Sequence, residues 1–279
     1  MKWDEDTSPG PGVRLHIRRV VEPPAQPVLL LHGLGVGGSI WQAFARRLLP
    51  DLAAVAPDLR GHGQSDAPPS GYAPVDYATD LIELIEGEDW LEAPVPVVGH
   101  SLGALVALTL ADLRPDLVRW LVLLDPPLDP DSHNSEIPSV YRLRHTAPGE
   151  LEAYLLSRNP GAGQLLAQSL ARLFRAASDA AFEAFLNPGD RAAGRPPAIA
   201  AAALEQAARI RQPCLVLQAD PAHGGVLGDA AARLFVERLP DGQLKKIVGA
   251  THALHASHPA EVARAILERY SSVPGSGSR

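Results

Sequence analysis

A serine sits between two glycines in Gly99-His100-Ser101-Leu102-Gly103, a spacing suited to a nucleophile carried on a sharp turn. Residues 95–98 before it are an apolar run and residues 104–113 after it are helix-compatible. That is the strand–turn–helix setting in which a serine hydroxyl is pushed clear of a sheet edge. Such a turn holds its central residue at strained dihedrals, and the flanking glycines remove side chains that would collide there. The first amides of the following helix point at the same place, so negative charge developing on a substrate oxygen would meet oriented donors. Serine is a weak nucleophile at neutral pH and needs a general base. Ten histidines are available for that role.

To hold Ser101 at a sheet edge the chain must supply neighbouring strands, and the patterning does so. Val13, Leu15 and Ile17 alternate with Arg14 and His16, as in a half-exposed strand. Residues 28–31 are a short apolar run of the kind buried on both faces. His32-Gly33-Leu34-Gly35 follows, then a helix with Ser39 as its N-cap and Trp41, Phe44 and Leu48 at helical spacing. A strand over residues 52–56 leads into the loop from Asp58 to Asp66, and Leu81, Ile82, Leu84 and Ile85 give residues 74–86 one apolar helical face. The strand over 120–124 ends at Asp125. Strands alternating with helices imply right-handed crossovers and a mostly parallel sheet, whose ligands bind at the carboxyl ends of strands.

The alternation stops after Pro126. Helical stretches follow around residues 150–156, 164–177 and 180–186, broken by Asn159-Pro160-Gly161 and Asn187-Pro188-Gly189. These predict an inserted helical cap over residues 127–196. An alanine-rich helix over 197–210 returns the chain to a core made of residues 13–126 and 197–270. That second part reads as strand 214–218, helix 229–239, strand 243–248 and helix 259–270. Residues 1–12 and 271–279 lack periodicity and are expected to be flexible tails.

Composition narrows the classes of function. With 279 residues, 46% hydrophobic and 20% charged, the sequence is that of an ordinary globular domain, or of one domain with an insertion. A net charge of −7 without a basic patch argues against nucleic acid as a partner. No run approaches the roughly 18 to 20 apolar residues of a membrane span, and residues 1–12 lack a basic-then-apolar leader pattern, so a cytoplasmic location is expected. The single Cys214 lies in an apolar stretch and reads as a small buried residue.

The order of elements, together with His32-Gly33-Leu34-Gly35, Gly99-His100-Ser101-Leu102-Gly103, Gly249-Ala250-Thr251-His252 and the loop from Asp58 to Asp66, resembles the α/β-hydrolase superfamily, specifically its cap-bearing serine hydrolases. The resemblance spans about residues 13–270. It implies an α/β-hydrolase fold with Ser101 as nucleophile and His252 as general base. It also implies an oxyanion hole formed by the backbone N–H groups of Leu34 and Leu102, with no cofactor and no metal. His32, His62 and His100 read as packing or hydrogen-bonding neighbours. His255 and His258 have no carboxylate partner in the sequence and are expected to face solvent or cap a helix; His133, His145 and His223 read as surface residues.

The acid departs from the family pattern. The usual layout places an aspartate a few residues beyond the strand 214–218, and the matching position here is Ala222. Two carboxylates can replace it. Asp125, at the end of the strand beside the elbow strand, is preferred; Asp220 is the alternative. The resemblance implies acyl transfer to Ser101 from a small, partly apolar carbonyl substrate, a carboxylic ester or lactone. Tyr141, Tyr154, Phe174, Phe182 and Phe185 fall in the predicted cap, where they would line a pocket or form the cap's own core. A C–C bond hydrolase or a cofactor-free haloperoxidase-like enzyme would use the same residues, and a ligand-binding receptor on the same fold would tolerate a missing acid. Epoxide hydrolases and haloalkane dehalogenases of this fold carry aspartate where Ser101 stands.

Overall fold

The strands that read as unbroken apolar runs form the middle of one eight-stranded sheet. The computed structural model describes residues 2–8, 12–20, 25–129, 136–158, 163–186 and 198–273. The strands are β1 (Trp3–Ser8), β2 (Leu15–Val20), β3 (Gln26–Leu31), β4 (Leu52–Pro57), β5 (Val95–His100), β6 (Val118–Leu124), β7 (Cys214–Gln218) and β8 (Gly242–Lys246). They lie in the order β1-β2-β4-β3-β5-β6-β7-β8. β1–β2 and β2–β4 pair antiparallel, and every other pairing is parallel.

Strict alternation sends successive residues of the central strands to opposite faces, each covered by helices. Leu29, Leu31, Val97, Leu121 and Leu123 belong to one apolar layer, which packs against α2 (Pro74–Gly87) and α3 (Leu102–Leu113). Val28, Leu30, Val98, Trp120 and Val122 belong to the other, with Trp41, Phe44, Leu48 and Ile266. Of these, Trp41 and Phe44 fall on a 3-10 turn (Gly38–Trp41) and the short α1 (Gln42–Ala45), while Ile266 lies on the last helix, Pro259–Ser272. The 3-10 turn begins after Gly37, two residues earlier than the expected Ser39 cap. Every residue of α3 from Leu102 to Ala111 is buried, and all but Thr109 are apolar, in keeping with a helix enclosed on all sides.

Two expectations about the termini are corrected. Residues 3–8, expected to be part of a flexible tail, form β1 along the sheet edge. The acidic Asp4, Glu5 and Asp6 hide the strand from any apolar-alternation test. Glu5 stands opposite Arg18, however, and the Arg18 Nε–H donates to Glu5 Oε1 at 3.2 Å, an oppositely charged cross-strand pair. At the other end, Ser271 and Ser272 continue the last helix rather than starting a tail; residues 274–279 lie outside the described residues.

Four helices follow β6: α4 (Ile137–Leu143), α5 (Glu150–Arg158), α6 (Gln164–Ala176) and α7 (Asp179–Leu186). The first was not predicted, and residues 187–196 of the expected insertion lie outside the described residues. The alanine-rich return helix is α8 (Ala198–Ala207), followed after β7 by α9 (Asp229–Arg238). Among the described residues no helix is long and apolar enough to cross a membrane.

Candidate active site

Ser101 leaves β5 and enters α3 with φ 54° and ψ −116°; it and Asp125 (φ 43°) are the non-glycine residues with positive φ among the described residues. Such dihedrals are costly for a side chain with a Cβ and persist only where the surroundings enforce them. The Ser101 N–H donates to the Leu124 carbonyl at 3.0 Å and its carbonyl accepts from Ala104 N–H at 3.0 Å, so the turn is pinned to β6 on one side and to the helix on the other. A Cβ on Gly99 would strike the Gly103 carbonyl, and one on Gly103 would strike the carbonyls of Leu31 and His32. The two glycines therefore let α3 start directly against the ends of β3 and β5. Ser101 faces a cavity of about 1060 Å³.

The structure brings His252 and Asp125 together, 127 residues apart in sequence: Nδ1 lies 2.7 Å from Asp125 Oδ2. A carboxylate can only accept, so Nδ1 carries the proton and Nε2 is left unprotonated, the tautomer a general base requires. The Asp125 side chain is wholly buried and is met by backbone amides as well as by the imidazole. Ala219 N–H and Leu227 N–H donate to Oδ1 at 3.2 and 3.3 Å, and Val226 N–H donates to Oδ2 at 2.8 Å. Asp125 N–H in turn donates to the Leu217 carbonyl at 2.8 Å. The loop after β7 thus wraps its amides around a carboxylate presented by β6. These donors are main-chain groups, so no residue type in the sequence announces them.

Asp220 is not joined to His252. Its carboxylate accepts from Gly249 N–H at 2.9 Å and Ala222 N–H at 3.1 Å, and lies 3.1 Å from His223 Nδ1. The Gly249 and Ala222 amides, with His223, hold its carboxyl below the usual carboxylate range. It fastens the turn after β7 to the loop that carries His252. Ala222 lines the cavity without a polar group of its own side chain.

Leu34 and Leu102 both line the cavity. Leu102 is the first residue of α3, so its N–H has no partner within the helix. The loop bearing Leu34 is fixed by His32, whose Nδ1–H donates to the Gly33 carbonyl at 2.7 Å while Nε2 accepts from Leu59 N–H at 2.9 Å. Burial lowers the His32 pKa, in keeping with a neutral ring that donates and accepts at once.

The remaining histidines divide by environment. His100 donates from Nε2 to the His252 carbonyl at 2.9 Å, tying the elbow to the loop of the proposed base. His255, expected to face solvent or cap a helix, is instead buried against Trp41 and His100, with ring centroids 4.5 and 4.9 Å away. A lone histidine at an otherwise apolar position carries no periodicity that separates these outcomes. His62 is buried beside His32, with Nδ1–H donating to the Arg60 carbonyl at 2.8 Å. His258 lies 3.1 Å from the Ser257 hydroxyl and His145 3.0 Å from Asp179. His133 lies outside the described residues.

Burial pushes the His62 and His255 pKa values down to about 3 each. Unfolded, both titrate near 6.5, so the unfolded chain binds more protons between these values and stability falls as pH drops through that window. The contribution of the two rings is complete above pH 6.5 and is lost progressively toward pH 3. At about 1.4 kcal/mol per unit for each ring, their summed effect lowers the unfolding free energy by about 3 kcal/mol between pH 7.5 and 5.5. Burial lowers the His32 and His100 pKa values as well, so urea unfolding across that range should show a slope steeper than these two rings alone give, and His255→Phe should remove about 1.4 kcal/mol of the change; a slope unchanged by that substitution would contradict the assignment.

The five aromatics of the inserted segment serve two ends. Phe174 and Phe185 line the cavity, with Leu155 and Leu170. Tyr141 stacks on the fully buried Phe182 at 5.6 Å and its hydroxyl donates to Glu183 at 2.9 Å, while Tyr154 packs against the same apolar layer.

The sequence profile of the Alpha/beta hydrolase family matches residues 28–265. The chain is 42% identical over 116 residues to Lipase LipV of Mycobacterium tuberculosis, covering 41% of this chain and 42% of that protein. It is 34% identical over 158 residues to Epoxide hydrolase 3 of Siraitia grosvenorii, covering 50% and 47%. The matched stretch thus spans less than half the length of either curated relative. In three dimensions the chain is similar to E-2-(acetamidomethylene)succinate hydrolase, with a TM-score of 0.77 at 24% identity, covering 97% of this chain and 100% of that one, a likeness of fold.

Proposed function

The chain belongs to the Alpha/beta hydrolase family, and on that premise we propose that it is a serine hydrolase cleaving a small, partly apolar carboxylic ester or lactone through an acyl-enzyme on Ser101. The observation that carries this reading is the 2.7 Å contact between His252 Nδ1 and the buried Asp125 carboxylate, in a molecule whose Ser101 is held at φ 54° on the same cavity as His252.

In this mechanism His252 Nε2 takes the Ser101 hydroxyl proton as Oγ adds to the substrate carbonyl carbon. The carbonyl π electrons move onto oxygen, where the N–H groups of Leu34 and Leu102 receive the charge. Collapse of the adduct breaks the bond to the alkoxy group, which leaves with the proton from the His252 imidazolium. Water then repeats the sequence on the acyl-enzyme, giving up a proton to His252, releasing the acid and returning the proton to Ser101. Asp125 fixes the His252 tautomer and stabilises the imidazolium formed in each half-reaction. These steps need neither metal nor cofactor.

A serine at the elbow supports acyl transfer over epoxide opening through a carboxylate. The likeness to a protein named a lipase supports an ester as the substrate class. A carboxylate on His252 favours turnover over a binding-only role. In this reading helices α4 to α7 are a cap, and Phe174 and Phe185 give the substrate site its apolar wall. A fluorophosphonate should form an adduct on Ser101 and block turnover of p-nitrophenyl butyrate, and Ser101→Ala should show neither. Turnover by an unlabelled protein, or by Ser101→Ala, would overturn the reading. A diketone assayed alongside separates C–C cleavage from ester hydrolysis.

A further inference from the structure

Leu102, Leu105 and Thr109 stand three and four residues apart on α3, and all three line the cavity that Ser101 faces. They make one stripe leading away from the nucleophile. From Leu102 to Thr109 the helix advances about 10 Å. Ala202, Ala203 and Gln206 line the same cavity from α8. The alanines keep this wall of the cavity apolar, and the wall then ends on a polar pair where the two helices meet.

The pair is Thr109 and Gln206. Gln206 Nε2 donates to Thr109 Oγ1 at 3.2 Å, and the Thr109 hydroxyl donates back to the Leu105 carbonyl at 2.9 Å. A glutamine amide has two N–H donors and a carbonyl oxygen with two lone pairs. Among the described residues its amide contacts are with Thr109 alone, Nε2 donating to Oγ1 and Oε1 lying 3.5 Å from the same hydroxyl, so one N–H and one carbonyl lone pair are left over on a residue that lines the cavity. Further along, Arg209 meets Asp112 at 2.5 and 2.7 Å, and Gln212 Nε2 donates to the Pro115 carbonyl at 2.8 Å. These contacts already fasten the two segments to each other.

We propose that Thr109 and Gln206 form a distal polar subsite that selects acyl chains ending in a hydroxyl group about 10 Å from the reacting carbonyl. A hydroxyl both donates and accepts, which matches the remaining N–H and the remaining carbonyl lone pair of Gln206, and it brings no charge into an apolar pocket. The inference rests on the serine-hydrolase reading and specifies its substrate class.

The test compares kcat/KM for p-nitrophenyl 8-hydroxyoctanoate, whose hydroxyl matches that span, with that for p-nitrophenyl octanoate, as a ratio within each folded protein, so that differences in yield cancel. The wild type should favour the hydroxyl ester by about tenfold, the worth of a well-made hydrogen bond. Gln206→Leu, and Thr109→Val, which keeps the side-chain shape, should each bring the ratio to one or below. A wild-type ratio of one or less, or a preference that survives both substitutions, would overturn the subsite while leaving the hydrolase reading intact. Absence of a fluorophosphonate adduct on wild-type Ser101 would reject the hydrolase reading itself, and the subsite with it.

Discussion

Asp125→Asn should lower kcat for p-nitrophenyl butyrate by about ten-thousandfold, the scale found when a triad acid loses its charge but keeps its shape. The geometry explains why asparagine fails in either orientation. Oδ2 receives both His252 Nδ1 and Val226 N–H, and Oδ1 receives the N–H groups of Ala219 and Leu227. An NH₂ placed at the first position confronts a backbone donor and forces His252 to carry its proton on Nε2, where it can no longer accept one from Ser101. Placed at the second, it faces two backbone donors with nothing to accept them. Each buried donor left unmatched costs about 1–3 kcal/mol, so the variant should also melt at a lower temperature. Asp220→Asn loosens the turn at Gly249 and His223 and should change kcat by less than about tenfold, because that carboxylate does not reach the imidazole. The proposal fails if Asp125→Asn stays within tenfold of wild type, or if Asp220→Asn causes the larger loss.

What the sequence made legible follows from how local each signal is. The elbow is written in five consecutive residues flanked by an apolar strand and a helix, so Ser101 could be placed without tertiary information. The strands around it could be read for the same reason, since burial on both faces leaves unbroken runs such as residues 28–31. The proposed acid is different in kind. Two aspartates stood near strand ends, and choosing between them depends on where residues 219–228 run in space. The structure decides that path through the amides of Ala219, Val226 and Leu227, main-chain groups that every residue but proline has.

Two other features were hidden by opposite effects. β1 is polar from Asp4 to Ser8, so periodicity could not find it; the legible trace was its acidic residues, complementary to Arg18 and Arg19 on β2. His255 is polar by type yet buried, and only contact with Trp41 and His100 reveals it. The polar pair at Thr109 and Gln206 was equally invisible. It lies 97 residues apart in sequence and joins helices whose parallel packing only the fold supplies.

The backbone approach that makes the elbow possible predicts a second large effect, from one methyl group. A Cβ at Gly103 would collide with the carbonyls of Leu31 and His32, which belong to the main chain and cannot rotate away. Relief requires α3 to move off the end of β3. That motion carries Leu102 N–H away from the proposed oxyanion position and disturbs the residues that precede Leu34, so both proposed donors lose their aim together. Overpacking against a fixed core costs about 1–3 kcal/mol and more where backbone must shift. Removing a single oxyanion donor slows kcat by about a hundred- to a thousandfold. Gly103→Ala should therefore lose about 3 kcal/mol of unfolding free energy and retain at most about one hundredth of the wild-type kcat in its folded fraction. Gly87→Ala is the matched control: a Cβ there meets nothing within 4 Å, and alanine at the end of α2 should leave stability equal or slightly raised. Urea unfolding of both variants, with kcat scaled to active serine titrated by the fluorophosphonate, reads the two effects separately. If Gly103→Ala matched Gly87→Ala in both, the tight seating of α3 on β3 would not be what aims the Ser101 hydroxyl. The strain at Ser101 would then have to be held by its bonds to Leu124 and Ala104 alone.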